Sequence, residues 1–249
     1  MIDRSELLDY CDRLLDVAAW NDYAPNGLQV EGKPRIQRVI TGVTACAELI
    51  EAAIDWQADA IIVHHGFFWK NEPPTLTGIK YRRIARLIKH DINLLAYHLP
   101  LDAQPEFGNN AALSEQLGLE RVIPFGAMRL SLAGELPAPT KAQELGNALE
   151  QILGRTPLIV GPADKLLQRI GLCTGGAQDG IVEAVQMGLD AFISGEISER
   201  TTHIAREEGI TYFAAGHHAT EREGVRRLGL QLAEHFGLVV RFVDIANPV

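Results

Sequence analysis

Cysteine is scarce in this chain: three among 249 residues, Cys11, Cys46 and Cys173, with no C-x-x-C pair. That argues against a disulfide framework and a thiolate zinc site, and leaves buried thiols in a reducing compartment. Long apolar runs are missing as well. Nothing approaches the ~20 residues of a membrane span, and Met1-Ile2-Asp3-Arg4-Ser5-Glu6 has no basic-then-apolar signal pattern. A cytoplasmic protein without a membrane partner is therefore expected. Basic residues are in deficit, 23 against 32 acidic ones, for a formal charge of −9. Phosphate backbones are bound by Lys and Arg, so this balance argues against nucleic acid as a partner. It leaves room for a small phosphorylated ligand. The G-x-S-x-G turn of serine hydrolases is also absent.

What is present reads as alternating strands and helices. Leu7, Leu8, Cys11, Leu14 and Leu15 recur at helical spacing after a cap at Asp3 or Ser5. Asn21 to Gly27 is a cluster of turn residues, and Leu28-Gln29-Val30 a short strand. Then come a strand at 38–43, a helix at about 45–56, a strand at 60–63, a helix carrying Ile79, Ile84, Leu87 and Ile88, and a strand at 92–97. Short connections between them predict a parallel sheet flanked by helices. Helices are expected at about 108–118 and 141–153, with short strands near 128–132 and 158–160.

The order then repeats. Gln168-Arg169-Ile170-Gly171-Leu172 resembles Gln37-Arg38-Val39-Ile40-Thr41, and Leu189-Asp190-Ala191-Phe192-Ile193 resembles Ala58-Asp59-Ala60-Ile61-Ile62. This suggests an internal duplication. The expectation is an α/β fold of two related, interlocked lobes. One comprises about 1–125 with the C-terminal part, and the second repeat about 165–249. A middle segment, about 122–164, carries no obvious chemistry. A last helix at 222–236 and strand at 238–243 close the chain.

The polar outbursts fall just after buried strands, where open parallel sheets place ligands. They are His64-His65-Gly66, His98-x-x-x-Asp102 and Gly216-His217-His218-Ala219-Thr220-Glu221. On a helix, His217 and Glu221 would share one face. His64 and His65 could serve one site only if the strand ends there, because neighbours on a regular strand point to opposite faces. Three imidazoles and two carboxylates, His64, His65, Asp102, His217 and Glu221, exceed one tetrahedral ion. They suit two divalent ions about 3.5–4 Å apart that activate a shared water for hydrolysis. Zinc, iron, manganese, nickel and magnesium are not distinguished. Asp102 also reads as a helix cap. His98 could ligate, orient Asp102 or contact substrate, and Glu196 could back the site, act as a base or lie on the surface. Phe67-Phe68-Trp69 is either core packing or a stacking wall for a planar ligand. Thr174-Gly175-Gly176 is a weak candidate for an anion cradle.

Together, Asn26-Gly27-Leu28-Gln29-Val30, Val63-His64-His65-Gly66, His98-Leu99-Pro100-Leu101-Asp102 and Gly216-His217-His218-Ala219-Thr220-Glu221 closely resemble the YbgI-like members of the Nif-three-like family. These are also named GTP cyclohydrolase I type 2 homologues, and the resemblance covers essentially the whole chain. It implies a two-lobed α/β fold with a dinuclear metal cleft and a ring-shaped homohexamer. It also implies His64, His65, Asp102, His217 and Glu221 as the metal ligands, and metal-assisted opening of a purine nucleotide ring, GTP being the named substrate. The competing reading is a non-catalytic metal-binding or adaptor ring.

Overall fold

A computed structural model describes residues 1–126 and 128–249. The chain divides into two compact units. The first comprises Met1–Gln104 and Gly224–Ala246, and the second Pro105–Glu223 and Asn247–Val249.

The first unit is built on a five-stranded sheet in the order Val239–Phe242, Arg38–Thr44, Ala60–His65, Asn93–Ala96, Gly27–Val30. The first four strands run parallel, and Gly27–Val30 lies antiparallel to Asn93–Ala96 with Gly27 opposite Ala96. Strands sandwiched between helices read as continuous apolar runs, and Ala60, Ile61, Ile62 and Val63 are accordingly fully buried. Helices Ala47–Asp55 and Gly78–Lys89 pack Leu49, Ile50, Ala53, Ile84 and Leu87 onto that sheet. Of the second helix's apolar residues only Ile84 and Leu87 are buried; Ile79 and Ile88 are exposed. The first helix, Arg4–Leu14, buries Leu7 and Cys11 as its spacing predicts. Asp3 occupies its cap position without a side-chain cap bond and instead pairs with Arg35 at 3.1 Å. Burial pushes the Cys11 thiol up to about 12, so it stays a neutral packing group.

The second unit has a six-stranded sheet: Glu120–Phe125, Ser131–Lys141, Leu166–Cys173, Ala191–Ser194, Thr211–Ala214, Leu158–Val160. Its central three strands are parallel and its outer pairings antiparallel. The strand expected near 128–132 starts at Ser131 and runs to Lys141. Pro137 and Pro139 hide its length from a sequence reading, because proline cannot donate to a ladder. They fall where the register with Leu166–Cys173 shifts, between the pairs Arg169–Glu135 and Leu167–Thr140. Leu145, Leu149 and Leu153 of helix Ala142–Leu153 pack with Leu167, Ile170 and Phe213 in the core.

The repeat is visible in hydrogen bonds. Asp59 Oδ2 accepts from the backbone N–H of Gln37 and Arg38, at 3.0 and 2.9 Å. Asp190 Oδ2 accepts from those of Gln168 and Arg169, at 2.9 and 2.8 Å. The main chain of each aspartate also bridges equivalent neighbours: Asp59 N–H to Arg38 O and Asn93 N–H to Asp59 O, Asp190 N–H to Arg169 O and Thr211 N–H to Asp190 O. Each unit thus uses one carboxylate to lock the start of the same three-strand parallel core. Among the described residues no helix is long and apolar enough to cross a membrane.

Candidate metal centre

The first donor set lies at the carboxyl ends of the first unit's parallel strands. His65 is the last residue of strand Ala60–His65, and Gly66 turns the chain away. A Cβ on Gly66 would stand 2.2 Å from Gln29 Oε1 and 2.6 Å from the Ala96 Cβ, so only glycine allows this close turn. Gln29 Oε1 accepts the Phe67 N–H at 2.6 Å and holds the turn. With the strand ending here, the His64 and His65 rings approach to 4.5 Å between centroids. His98 joins them: one donor atom from each of the three lies within 4.8 Å of the others.

Each ring is oriented from behind. His64 Nδ1–H donates to the Tyr97 carbonyl at 2.9 Å, which puts Nε2 3.5 Å from Asp102 Oδ1. His64 and Asp102 are both buried, and Asp102 sits in the first turn of the short helix Leu99–Ala103. His98 Nδ1–H donates to Asp22 Oδ1 at 2.9 Å, so the ring does not serve Asp102 through that nitrogen. Asp22 also accepts from the Tyr23 and Leu99 N–H groups and from Asn26 Nδ2. Burial alone would raise its pKa; the bonds from His98, Asn26 and Leu99 outweigh that and hold it at about 2. The His98 N–H donates to Asn26 Oδ1 at 2.7 Å. Asp22 is the residue the sequence reading missed. The loop Asn21–Gly27 looks like a turn; only the pairing of Gly27 with Ala96 brings it to His98.

The second unit carries its own set. Strand Thr211–Ala214 leads through Gly216, φ 103°, into the helical turn His217–Thr220. His217 Nε2 lies 3.2 Å from Glu221 Oε2, as the four-residue spacing predicts, and Glu221 is buried. His217 Nδ1–H donates to Glu196 Oε1 at 2.6 Å. Burial would lower the His217 pKa, but its bonds to and the charges of Glu221 and Glu196 prevail and raise it to about 9. Gly175, at φ +71°, makes room for the pair: a Cβ would meet Glu221 Oε1 at 2.1 Å and His217 Nε2 at 3.2 Å. The Thr174-Gly175-Gly176 stretch therefore packs against the protein's own carboxylate. The Gly175 N–H is committed to Thr220 Oγ1 at 3.0 Å.

The Duf34/NIF3 (NGG1p interacting factor 3) model matches residues 2–248. The chain belongs to the DUF34/NIF3 family. It is similar to a Vibrio cholerae protein named GTP cyclohydrolase 1 type 2 homolog, 55% identical over 232 residues and 92% of each chain. Among solved structures, a YbgI protein described as of unknown function aligns over 100% of both chains with a TM-score of 0.95 and 49% identity. A Thermus thermophilus protein aligns over 100% of both at a TM-score of 0.89 and 33% identity.

In this DUF34/NIF3 chain one device recurs. His64, His98 and His217 each place Nδ1–H on an oxygen, of Tyr97, Asp22 and Glu196 respectively, and so keep Nε2 as the electron-pair donor. Metal-ligating histidines are commonly fixed this way. The nitrogen and carboxylate donors fit a divalent metal. The aromatic triplet divides. Phe67 is buried in the first core, Phe68 carries Lys80 over its ring at 5.3 Å, and Trp69 stands edge-on to His98 at 5.0 Å. His90, His203 and His235 are exposed and belong to neither set, and His235 stacks on Tyr10. The His218 N–H bonds the Val249 carbonyl.

Proposed function

We propose that His64, His65, Asp102, His217 and Glu221 serve one dinuclear metal centre. The proposed activity is hydrolysis of a ring C–N bond in a purine nucleotide. The observation that carries the reading is the anchored imidazole. Nδ1 of His64 and of His217 is tied to an oxygen, and Nε2 faces a buried carboxylate. His217 and Glu221 are two donors, fewer than the three or four protein ligands a metal usually takes, which supports joining them to the first set. Bound there, two divalent ions would supply Lewis acidity and an activated water. The chain's own residues hold the geometry. Tyr97 O and Glu196 fix the tautomers of His64 and His217, Asp22 fixes His98, and Gly175 leaves space for the Glu221 carboxylate.

GTP is the first substrate to test, because the curated relatives are named as homologues of a GTP cyclohydrolase. Metal-loaded protein should release formate from GTP, and His64→Ala and Glu221→Ala should abolish that release. No formate would remove GTP as the substrate; turnover surviving Glu221→Ala would sink the metal mechanism. Tightly held metal with no turnover over a broad nucleotide panel would favour the non-catalytic reading instead. We further propose a homohexamer in the cytoplasm. Light scattering should then give six times the 27.3 kDa chain mass, and a monomer would refute it.

A further inference from the structure

We propose that Tyr23 and Trp69 form a recognition platform for a planar heteroaromatic ring at the rim of the His64–His65–His98 cluster. The inference rests on the hydrolase reading of that cluster and names the part of the substrate the chain grips. Tyr23 is 51% exposed, yet its backbone is fixed on both sides. Its N–H donates to Asp22 Oδ1 at 2.7 Å, and its carbonyl accepts the Lys70 N–H at 2.8 Å. An exposed aromatic on a fixed backbone is a preorganised contact that loses little freedom on binding. Trp69 lies among the donor rings, its centroid 5.0 Å from His98, 5.8 Å from His65 and 6.0 Å from Tyr23. Tyr23 in turn stands edge-on to His98 at 5.0 Å.

The backbone between core and rim supplies a separate observation. Phe68 has φ +66°, in the left-handed region that bulky residues avoid. Such outliers gather at ligand clamps. This one lies between Phe67, buried in the core, and Trp69, beside the histidines. Core packing therefore accounts for Phe67 and leaves Tyr23 and Trp69 unexplained. Every nucleobase offers a π face to such rings, whereas a sugar phosphate does not.

The test titrates metal-loaded full-length protein with guanosine monophosphate and with ribose 5-phosphate by calorimetry, with metal content measured on each sample. Guanosine monophosphate should bind at least about tenfold tighter than ribose 5-phosphate. Tyr23→Ala and Trp69→Ala should each weaken it roughly tenfold or more, Tyr23→Phe and Trp69→Phe by less than about threefold, with metal content unchanged. Equal affinity for the two ligands, no binding of guanosine monophosphate, or alanine variants that bind like the parent with metal intact would overturn the platform. Ring-dependent binding with no turnover over a broad nucleotide panel would sustain the platform and overturn the hydrolase reading. Formate release with KM unchanged in both alanine variants would do the reverse.

Discussion

A single missing methyl group makes the His217–Glu221 pair possible. Gly175 combines a positive φ with a Cβ position 2.1 Å from Glu221 Oε1, so Gly175→Ala must push that carboxylate aside. Elemental analysis should show a large loss of bound metal in this variant, with its melting temperature lowered by several degrees for a cost of about 1–2 kcal/mol. Full metal content would mean Glu221 is not a ligand. His217 sets the pH behaviour. Its folded pKa is raised from 6.5 to about 9 by Glu221 and Glu196 against the opposing effect of burial. In metal-free protein its stabilising contribution is complete below 6.5 and is lost as pH rises to about 9. Metal must displace that proton, so metal affinity should rise steadily from pH 6.5 to 9, and Glu196→Gln should flatten the rise. A flat titration in the parent would contradict this. The pairing of His217 with Glu221 was legible because a four-residue spacing is local. Asp22 was not, because it reaches a histidine 76 residues away through tertiary structure, whereas Glu196, one reading of which was to back the site, does contact His217.

Elements were legible where one periodicity held. Strands ending in His64-His65 and before His98 and His217 follow from apolar runs stopped by polar residues, and the helices from 3.6-residue stripes. Most of the strand Ser131–Lys141, beyond the short strand expected near 128–132, escaped because its ladder partner, rather than its own composition, makes it a strand. The resemblance between the two segments is faint in identity, and the two share a bonding pattern. Asp59 and Asp190 each accept two backbone N–H bonds at the start of equivalent strands. Removing a shared acceptor leaves two donors unmet, so Asp59→Ala and Asp190→Ala should each cost roughly 2–4 kcal/mol in urea denaturation. A negligible effect at either site would mean the two cores are not locked by the same device.

At the scale of the whole molecule, composition excluded more than it chose. A charge of −9 argued against nucleic acid, and three scattered cysteines against thiolate metal binding. Membership of the DUF34/NIF3 family, matched over residues 2–248, fixes the ancestry of the fold. The chain leaves its first unit at Gln104 and returns to it at Gly224. The C-terminal part is expected in the first lobe, although no periodicity announces that return, since the last helix and strand look like any other pair. The proposed metal centre likewise draws its donors from along the chain, from His64 to Glu221. Metal content of the intact, metal-replete protein tests this most directly. Elemental analysis should give about two divalent ions per chain, falling sharply in both His64→Ala and Glu221→Ala; a value near zero in the parent would contradict the metal centre outright.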